Sequence, residues 1–309
     1  MTAVGIDVGK ANLDVMVHGG AKVQRFANTR AGITKLVKHL KGLHKAKIVV
    51  EATGGFEEPV LTACSHAGLW IARINPRQAR DFARATGQLA KTDALDARML
   101  AEMAQAFHAR LRAYEAPPAW QNELKGWLCR RQQVTDTIQR TRQQLLTTPV
   151  AIRPFVRRTL AALQRELKAV DKAMKALLQQ HTTPALRSAK GLGPMFQASM
   201  LSLLPELGRL TRRQVAKLVG VAPLNRDSGQ SQGKRHIYGG RSEVRVALYM
   251  ATLSAVRWEP VMREHYQQLR ARGKLGKVAL VACMRKLLTI VNARRRDELR
   301  LEEGAAIAA

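Results

Sequence analysis

The chain has 309 residues, 52 of them Lys or Arg against 23 Asp or Glu, giving a formal net charge of +29. That excess selects a polyanionic partner and is an odd charge for a small-substrate enzyme. Charge alone does not separate a nucleic-acid enzyme from an RNA-coating or architectural DNA protein.

Hydrophobic residues make up 46% of the chain, enough for an ordinary buried core, while aromatics at 5% leave that core to Leu, Val, Ala and Met and weaken any base-stacking platform. Cys64, Cys129 and Cys283 are far apart, odd in number and without metal-ligand spacing, so reduced structural thiols are expected. The opening MTAVGIDVGK enters a strand pattern with no basic leader or apolar segment. No apolar run approaches a membrane span. The expectation is a soluble, cytoplasmic protein that does not bind membrane.

In chain order, residues 4–8 and 11–17 read as two strands around Gly9-Lys10, and Gly32 to Leu40 as a helix. Ile48-Val49-Val50 has the β-branched character of a buried strand. LTACSHAGLW then reads as a helix and Ile71 to Ile74 as a strand, which predicts an α/β layer through about residue 113. After Pro117-Pro118 the pattern changes to two Leu-, Gln- and Arg-rich helices, Trp120 to Leu146 and Phe155 to Leu178, bracketed by Pro149 and Pro154. A helical hairpin or coiled-coil arm is predicted over 117–183, for packing or oligomerisation.

Residues 184–300 read as a mostly α-helical domain. Within it are Gly191-Leu192-Gly193, helices at Phe196 to Leu204 and Gln214 to Val219, a loop over 220–241, a helix at Val244 to Val256 and a basic helix around Lys274 to Arg296. Gly-x-Gly between helices can form a phosphate-binding turn or simply a tight turn. Residues 301–309 read as a tail.

Four acids carry the chemistry. Val4, Ile6 and Val8 share one strand face and put Asp7 on the other, where it can start a metal site; a polar residue on a half-exposed strand is the plainer reading, and Asp14 could be just that. Glu51 follows Ile48-Val49-Val50 and precedes Ala52-Thr53-Gly54-Gly55, at the carboxyl end of a strand where sites form in α/β sheets. Asp93 and Asp96 open the amphipathic helix of KTDALDARMLAEMAQAF, where they could serve as N-cap and N3. Asp96, however, lies on the stripe of Leu100, Met103 and Phe107, and an inward carboxylate needs a cation or a donor. Together the four form a two-metal arrangement in outline, with oxygen ligands suited to Mg²⁺ or Mn²⁺.

The stretch GVAPLNRDSGQSQGKRHIYGGRSEVRVALYMA carries Arg226, Lys234, Arg235, Arg241 and Arg245, candidate nucleic-acid contacts around a glycine-rich loop. Ser228 lies in it between Asp227 and Gly229. A loop serine is more often a turn former than a nucleophile.

In order, GIDVGKANLDV, VVEATGG and KTDALDARMLA resemble the signatures of the DEDD transposases related to the Piv invertase. RSAKGLGPMFQASMLSLLPELGRL and LVGVAPLNRDSGQSQGKRHIYGGRSEVRVALYMA resemble that family's C-terminal domain, so the likeness covers nearly the whole chain. It implies an RNase H-like (RuvC-like) domain over 1–116 whose Asp7, Glu51, Asp93 and Asp96 bind Mg²⁺. It also implies a nucleophilic serine, which falls on Ser228; Ser231 is the neighbouring alternative, and the Ser-Gly pairing favours Ser228. The family's activity is DNA recombination through a covalent serine–DNA phosphodiester within a homo-oligomer, a dimer or tetramer. Many members are directed by a structured guide RNA that pairs with donor and target DNA.

Three other readings compete. A RuvC-like nuclease or Holliday-junction resolvase would use the same acids with water as nucleophile. A non-enzymatic nucleic-acid-binding protein leaves Glu51 and the inward Asp96 unexplained. A sugar-kinase-type ATPase fits GIDVG but lacks a second glycine-rich phosphate loop.

Overall fold

The computed structural model describes residues 1–87, 93–188, 190–224, 227–228, 231–232 and 235–308, by backbone alone at 93–94, 227–228, 231–232 and 305–308. Two compact units result, Met1–Ala116 and Pro117–Ala309.

The first unit is built on a five-stranded sheet. Strands β1 (Ala3–Val8), β2 (Asn12–Val17) and β3 (Gln24–Ala27) form an antiparallel meander, and β4 (Lys47–Glu51) and β5 (Trp70–Ile74) extend it parallel to β1, in the order β3-β2-β1-β4-β5. Alternation along β1 decides the layers. Val4, Ile6 and Val8 pack with Leu13, Val15, Ile48 and Val50 beneath helices α1 (Arg30–Lys41) and α2 (Glu58–His66). Ala3, Val49 and Ile74 face the other way, under α3 (Pro76–Ala85) and α4 (Asp93–Phe107).

Local chemistry starts these helices. Thr29 caps α1 by accepting the Gly32 N–H, and Asn75 caps α3 by accepting the Arg77 N–H just ahead of Pro76 at the first turn. Sequence expectation stopped short of β3 and α3. QRFA is a polar edge strand, and the apolar face of PRQARDFARA is narrow, Ala79, Phe82 and Ala83 set among four charged residues.

Gly5 sets the height of α4 above the sheet. A Cβ there would lie 2.2 Å from the Ala97 carbonyl oxygen and 2.3 Å from the Ala101 nitrogen, both backbone atoms that cannot turn aside. Gly5→Ala is therefore expected to force α4 off β1 and lower the melting temperature by roughly 5 °C or more, read by circular dichroism.

The second unit opens with α5 (Ala119–Thr147) and α6 (Arg153–His181), each 29 residues or about 43 Å long. They run antiparallel: Leu124 near the start of α5 packs with Val170, Met174 and Leu178 near the end of α6, and Arg131 Nε donates to Asp171 at 2.7 Å. Ala198 of α8 (Pro194–Leu203) joins that cluster and anchors the base of the hairpin. At its far end Leu146, Val150 and Phe155 are exposed.

The remaining helices are α7 (Pro184–Arg187), α9 (Arg212–Val219), α10 (Ser242–Trp258), α11 (Pro260–Ala271) and α12 (Gly276–Ala308), around a core that includes Phe196, Met200, Val215, Leu248, Met284 and Leu288. Buried Asn292 fixes the 207–211 turn to α12: its Oδ1 accepts the Gly208 N–H, and its Nδ2 donates to the Leu210 carbonyl, both at 2.9 Å.

Three expectations change here. Gly191, at φ +101, packs against the α10 backbone, where a Cβ would meet the Ala255 nitrogen at 2.8 Å, so close approach accounts for this glycine. Residues 301–308, expected as a tail, continue α12, as their Leu, Glu and Ala content favours. The expected loop over 220–241 contains short ladders. Among the described residues no helix is long and apolar enough to cross a membrane.

Candidate functional site

The β1–β4 register runs from Ala3↔Lys47 to Ile6↔Val50, and Asp7 and Glu51 are the next residues on each strand. Adjacent strands lie about 4.8 Å apart, so the two backbones stand side by side at the carboxyl ends of parallel strands. By alternation Asp7 shares its strand face with Ala3 and Gly5, and Glu51 shares its face with Val49. That is the side covered by α4. Both acids are half-buried, as is Asp96, one residue before the Ala97 that touches Gly5. Asp93 is the first residue of α4, and its side chain is outside the described set. The fold thus brings two strand ends and the opening turn of α4 to one face of the sheet. Among the described side chains, no group of three or more His, Cys, Asp or Glu converges as a metal site would. Asp7, Glu51 and Asp96 offer carboxylate oxygens, the donor type that suits a hard divalent cation.

Asp14 departs from the half-exposed reading. It is 4% exposed, registers directly opposite Asp7 and is gripped by Arg25 from β3, with Nε to Oδ1 at 2.7 Å and Nη2 to Oδ2 at 2.8 Å. Two acids opposite each other repel, and the guanidinium offsets one of the charges. Nothing in the spacing of Asp14 and Arg25 reveals this, because the pairing exists only once β2 and β3 align.

The loop after Glu51 is braced by residues that sequence reasoning passed over. Gly54 and Gly55 adopt φ +63 and +103, which suit glycine, and the buried Glu57 accepts the Thr53 N–H at 3.0 Å and the Gly55 N–H at 2.8 Å through one oxygen. Asn28 Nδ2 donates to the Gly9 carbonyl at 3.0 Å and the Phe56 carbonyl at 3.1 Å. A pair of glycines followed closely by an acid was the one available signal for Glu57.

Burial pushes the Cys64 thiol up to about 12 and raises that of Cys283, so neither is a thiolate at neutral pH and both remain structural.

The serine segment is two nested two-residue ladders. β6 (Pro223–Leu224) pairs with β9 (His236–Ile237), and between them β7 (Asp227–Ser228) pairs with β8 (Ser231–Gln232). Ser228 registers opposite Ser231, so the two candidate hydroxyl residues are cross-strand neighbours. Their side chains, and residues Arg226 and Lys234, lie outside the described set.

The root of this excursion is closed by glycines. A Cβ on Gly220 would lie 2.1 Å from the Gly239 carbonyl oxygen, and one on Gly240 would lie 2.3 Å from the Gly220 nitrogen. Arg245 Nη1 donates to the carbonyls of Gly239 at 2.6 Å and Val219 at 3.2 Å. Arg241 makes a fork to Glu206 at 2.6 and 2.7 Å and donates to the Leu203 carbonyl.

Arg241 and Arg245 thus hold the loop to the domain, whereas Arg235 is exposed. Arg235→Glu is expected to flatten the log–log dependence of DNA affinity on salt by about 0.9 for each phosphate that the protein ceases to neutralise, measured by fluorescence anisotropy. Arg241→Glu would set a second carboxylate against Glu206 and is a poor probe of DNA binding.

Two transposase family models match the chain. A DEDD transposase model of the IS110 type matches residues 4–154, and a model described as the transposase IS116/IS110/IS902 family matches residues 183–267. The pilin gene-inverting proteins of Moraxella lacunata and Moraxella bovis are each 27% identical over 323 residues, spanning 94% of this chain and 94% of the relative. An insertion element IS110 protein of Streptomyces coelicolor is 28% identical over 163 residues, 50% of this chain and 40% of its own length. An α/β unit bearing acids at its strand ends, followed by a mostly helical unit, is here the framework of a transposase-type DNA recombinase. The chain belongs to the IS110 family of DEDD transposases and invertases.

Proposed function

We propose that the protein excises and inserts an insertion sequence, using Asp7, Glu51, Asp93 and Asp96 of an RNase H-like unit together with Ser228 of the helical unit. The observation that carries this is the placement of Asp7 and Glu51 on adjacent parallel strand ends, on the face crossed by the first turn of α4. The mixed sheet order β3-β2-β1-β4-β5 supports the RNase H-like reading. The four carboxylates would hold Mg²⁺, with Mn²⁺ as substitute, which when bound supplies Lewis-acid stabilisation of charge on the phosphate.

Ser228 Oγ attacks the scissile phosphorus and forms a serine–phosphate ester. The bond from phosphorus to the leaving deoxyribose oxygen breaks, that oxygen gains a proton, and the serine loses one. Attack by a DNA hydroxyl on this ester then releases Ser228 and rejoins the strands. Cationic side chains such as Arg235 flank the segment and favour a negatively charged backbone there.

The partners in this reading are the element ends and target DNA, a structured guide RNA, and further copies of the chain. The exposed Leu146, Val150 and Phe155 at the hairpin end suit a homo-oligomer, and the hairpin fits the coiled-coil arm of the family. The setting is the bacterial cytoplasm, on nucleoid DNA. Strand cleavage by Ser228→Ala tests the proposal against a nuclease that uses water: the nuclease keeps cutting, the recombinase does not.

A further inference from the structure

Asn28 sits between β3 and α1, at the end of the sheet where β1 and β4 finish. Its own backbone is fixed, since the Asn28 N–H donates to the Ala11 carbonyl at 2.8 Å and Asn12 registers with Ala27. From there its side chain reaches the Gly9 carbonyl, two residues past Asp7, and the Phe56 carbonyl, on the loop that follows Glu51. Both partners are acceptors only, so the amide nitrogen must face them and the orientation of the carboxamide is settled by chemistry. Oδ1 is buried with no hydrogen-bond partner among the described residues.

The location matters because Asp7 and Glu51 lie one step beyond the last β1–β4 register pair, Ile6↔Val50. The ladder fixes their separation from one side only. From the other side, Glu57 shapes the 53–55 turn internally, and Asn28 ties that loop to the turn after β1.

We infer that Asn28 is a positioning residue for the Asp7–Glu51 pair, its carboxamide setting the distance between the two acid-bearing loops and hence their fit to a divalent cation. This rests on the metal reading proposed above. Partners that orient ligating carboxylates typically change metal affinity by about 10- to 100-fold when removed.

The test is isothermal titration of full-length protein with Mn²⁺, comparing wild type, Asp7→Asn, Asn28→Ala and Asn28→Ser, each checked for folding by circular dichroism. Wild type should bind, Asp7→Asn should not, and Asn28→Ala should bind about 10-fold more weakly. DNA cleavage by Asn28→Ala should recover its full rate when Mn²⁺ is raised to match. General loosening of the fold would not split half-saturating metal from maximal rate in this way. Should the alanine variant not fold, Asn28→Ser, which keeps one donor, should show an intermediate loss. Wild-type Mn²⁺ affinity in the folded Asn28 variants overturns the inference. Absence of Mn²⁺ binding by wild type, or normal binding by Asp7→Asn, overturns the metal reading instead.

Discussion

Asp7→Asn and Glu51→Gln are each expected to abolish strand transfer, by roughly three orders of magnitude or more, while leaving the fold and DNA affinity in place. Each substitution keeps the shape of the side chain and removes one negative charge. Both positions are half-buried at strand ends, outside the packed clusters of Val4, Ile6, Ile48 and Val50 on one face and Ala3, Val49 and Leu100 on the other. The β-ladders that organise the unit depend on backbone groups that neither change touches. Removing a carboxylate from a chain of net charge +29 makes it more cationic still, so affinity for phosphate should hold or rise. What is lost is an oxygen ligand for a cation that stabilises transition-state charge, a contribution of several kcal/mol, and about 4 kcal/mol corresponds to a thousandfold in rate. The measurement is strand transfer on a substrate carrying both element ends, with electrophoretic DNA binding and thermal melting of the same preparations. A variant that retains near wild-type transfer would remove that acid from the site.

Ser228→Ala is expected to bind DNA normally, form no covalent protein–DNA adduct and lose strand transfer by at least about a thousandfold. A serine hydroxyl is a weak nucleophile at neutral pH, and an alanine methyl group is none, so no residual route passes through this side chain. The change falls in a two-residue strand whose pairing with β8 is made by backbone, and the loop root is closed elsewhere, by the Gly220–Gly239 approach and by Arg245. Loss of activity with intact DNA binding would therefore report chemistry and not collapse of the segment. Ser231, its register partner, provides the comparison: Ser231→Ala should retain adduct formation.

Periodicity made much of the fold legible. Strict alternation in VGIDV identified β1 and the face of Asp7, and Leu100, Met103 and Phe107 identified α4, on which Asp96 is half-buried. The long leucine repeats gave α5 and α6 to within a few residues. Short elements were hidden: the edge strand β3 and the two-residue ladders around Ser228 are too short to show a period, and α3 and α11 carry only narrow apolar faces, Ala79, Phe82 and Ala83 in one and Met262, Tyr266 and Leu269 in the other, set among charged residues.

Side-chain work at long range was hidden for a different reason. Arg241 reads as a phosphate ligand in a basic loop, yet its fork closes on Glu206, 35 residues earlier. Asn28 joins carbonyls 19 and 28 residues away, and Asp14 meets Arg25 only across β2 and β3. Such partners share no local spacing, so only the fold discloses them.

Trapping the covalent intermediate decides whether acids on one unit and a serine on the other carry out one recombination reaction. Wild-type protein would be incubated with Mg²⁺ and a nicked suicide substrate, and the adduct mapped by peptide mass spectrometry. A single phosphodiester on Ser228 is expected, present in wild type and absent from Glu51→Gln. An adduct on Ser231, or full strand transfer by Ser228→Ala with no adduct at all, would contradict it.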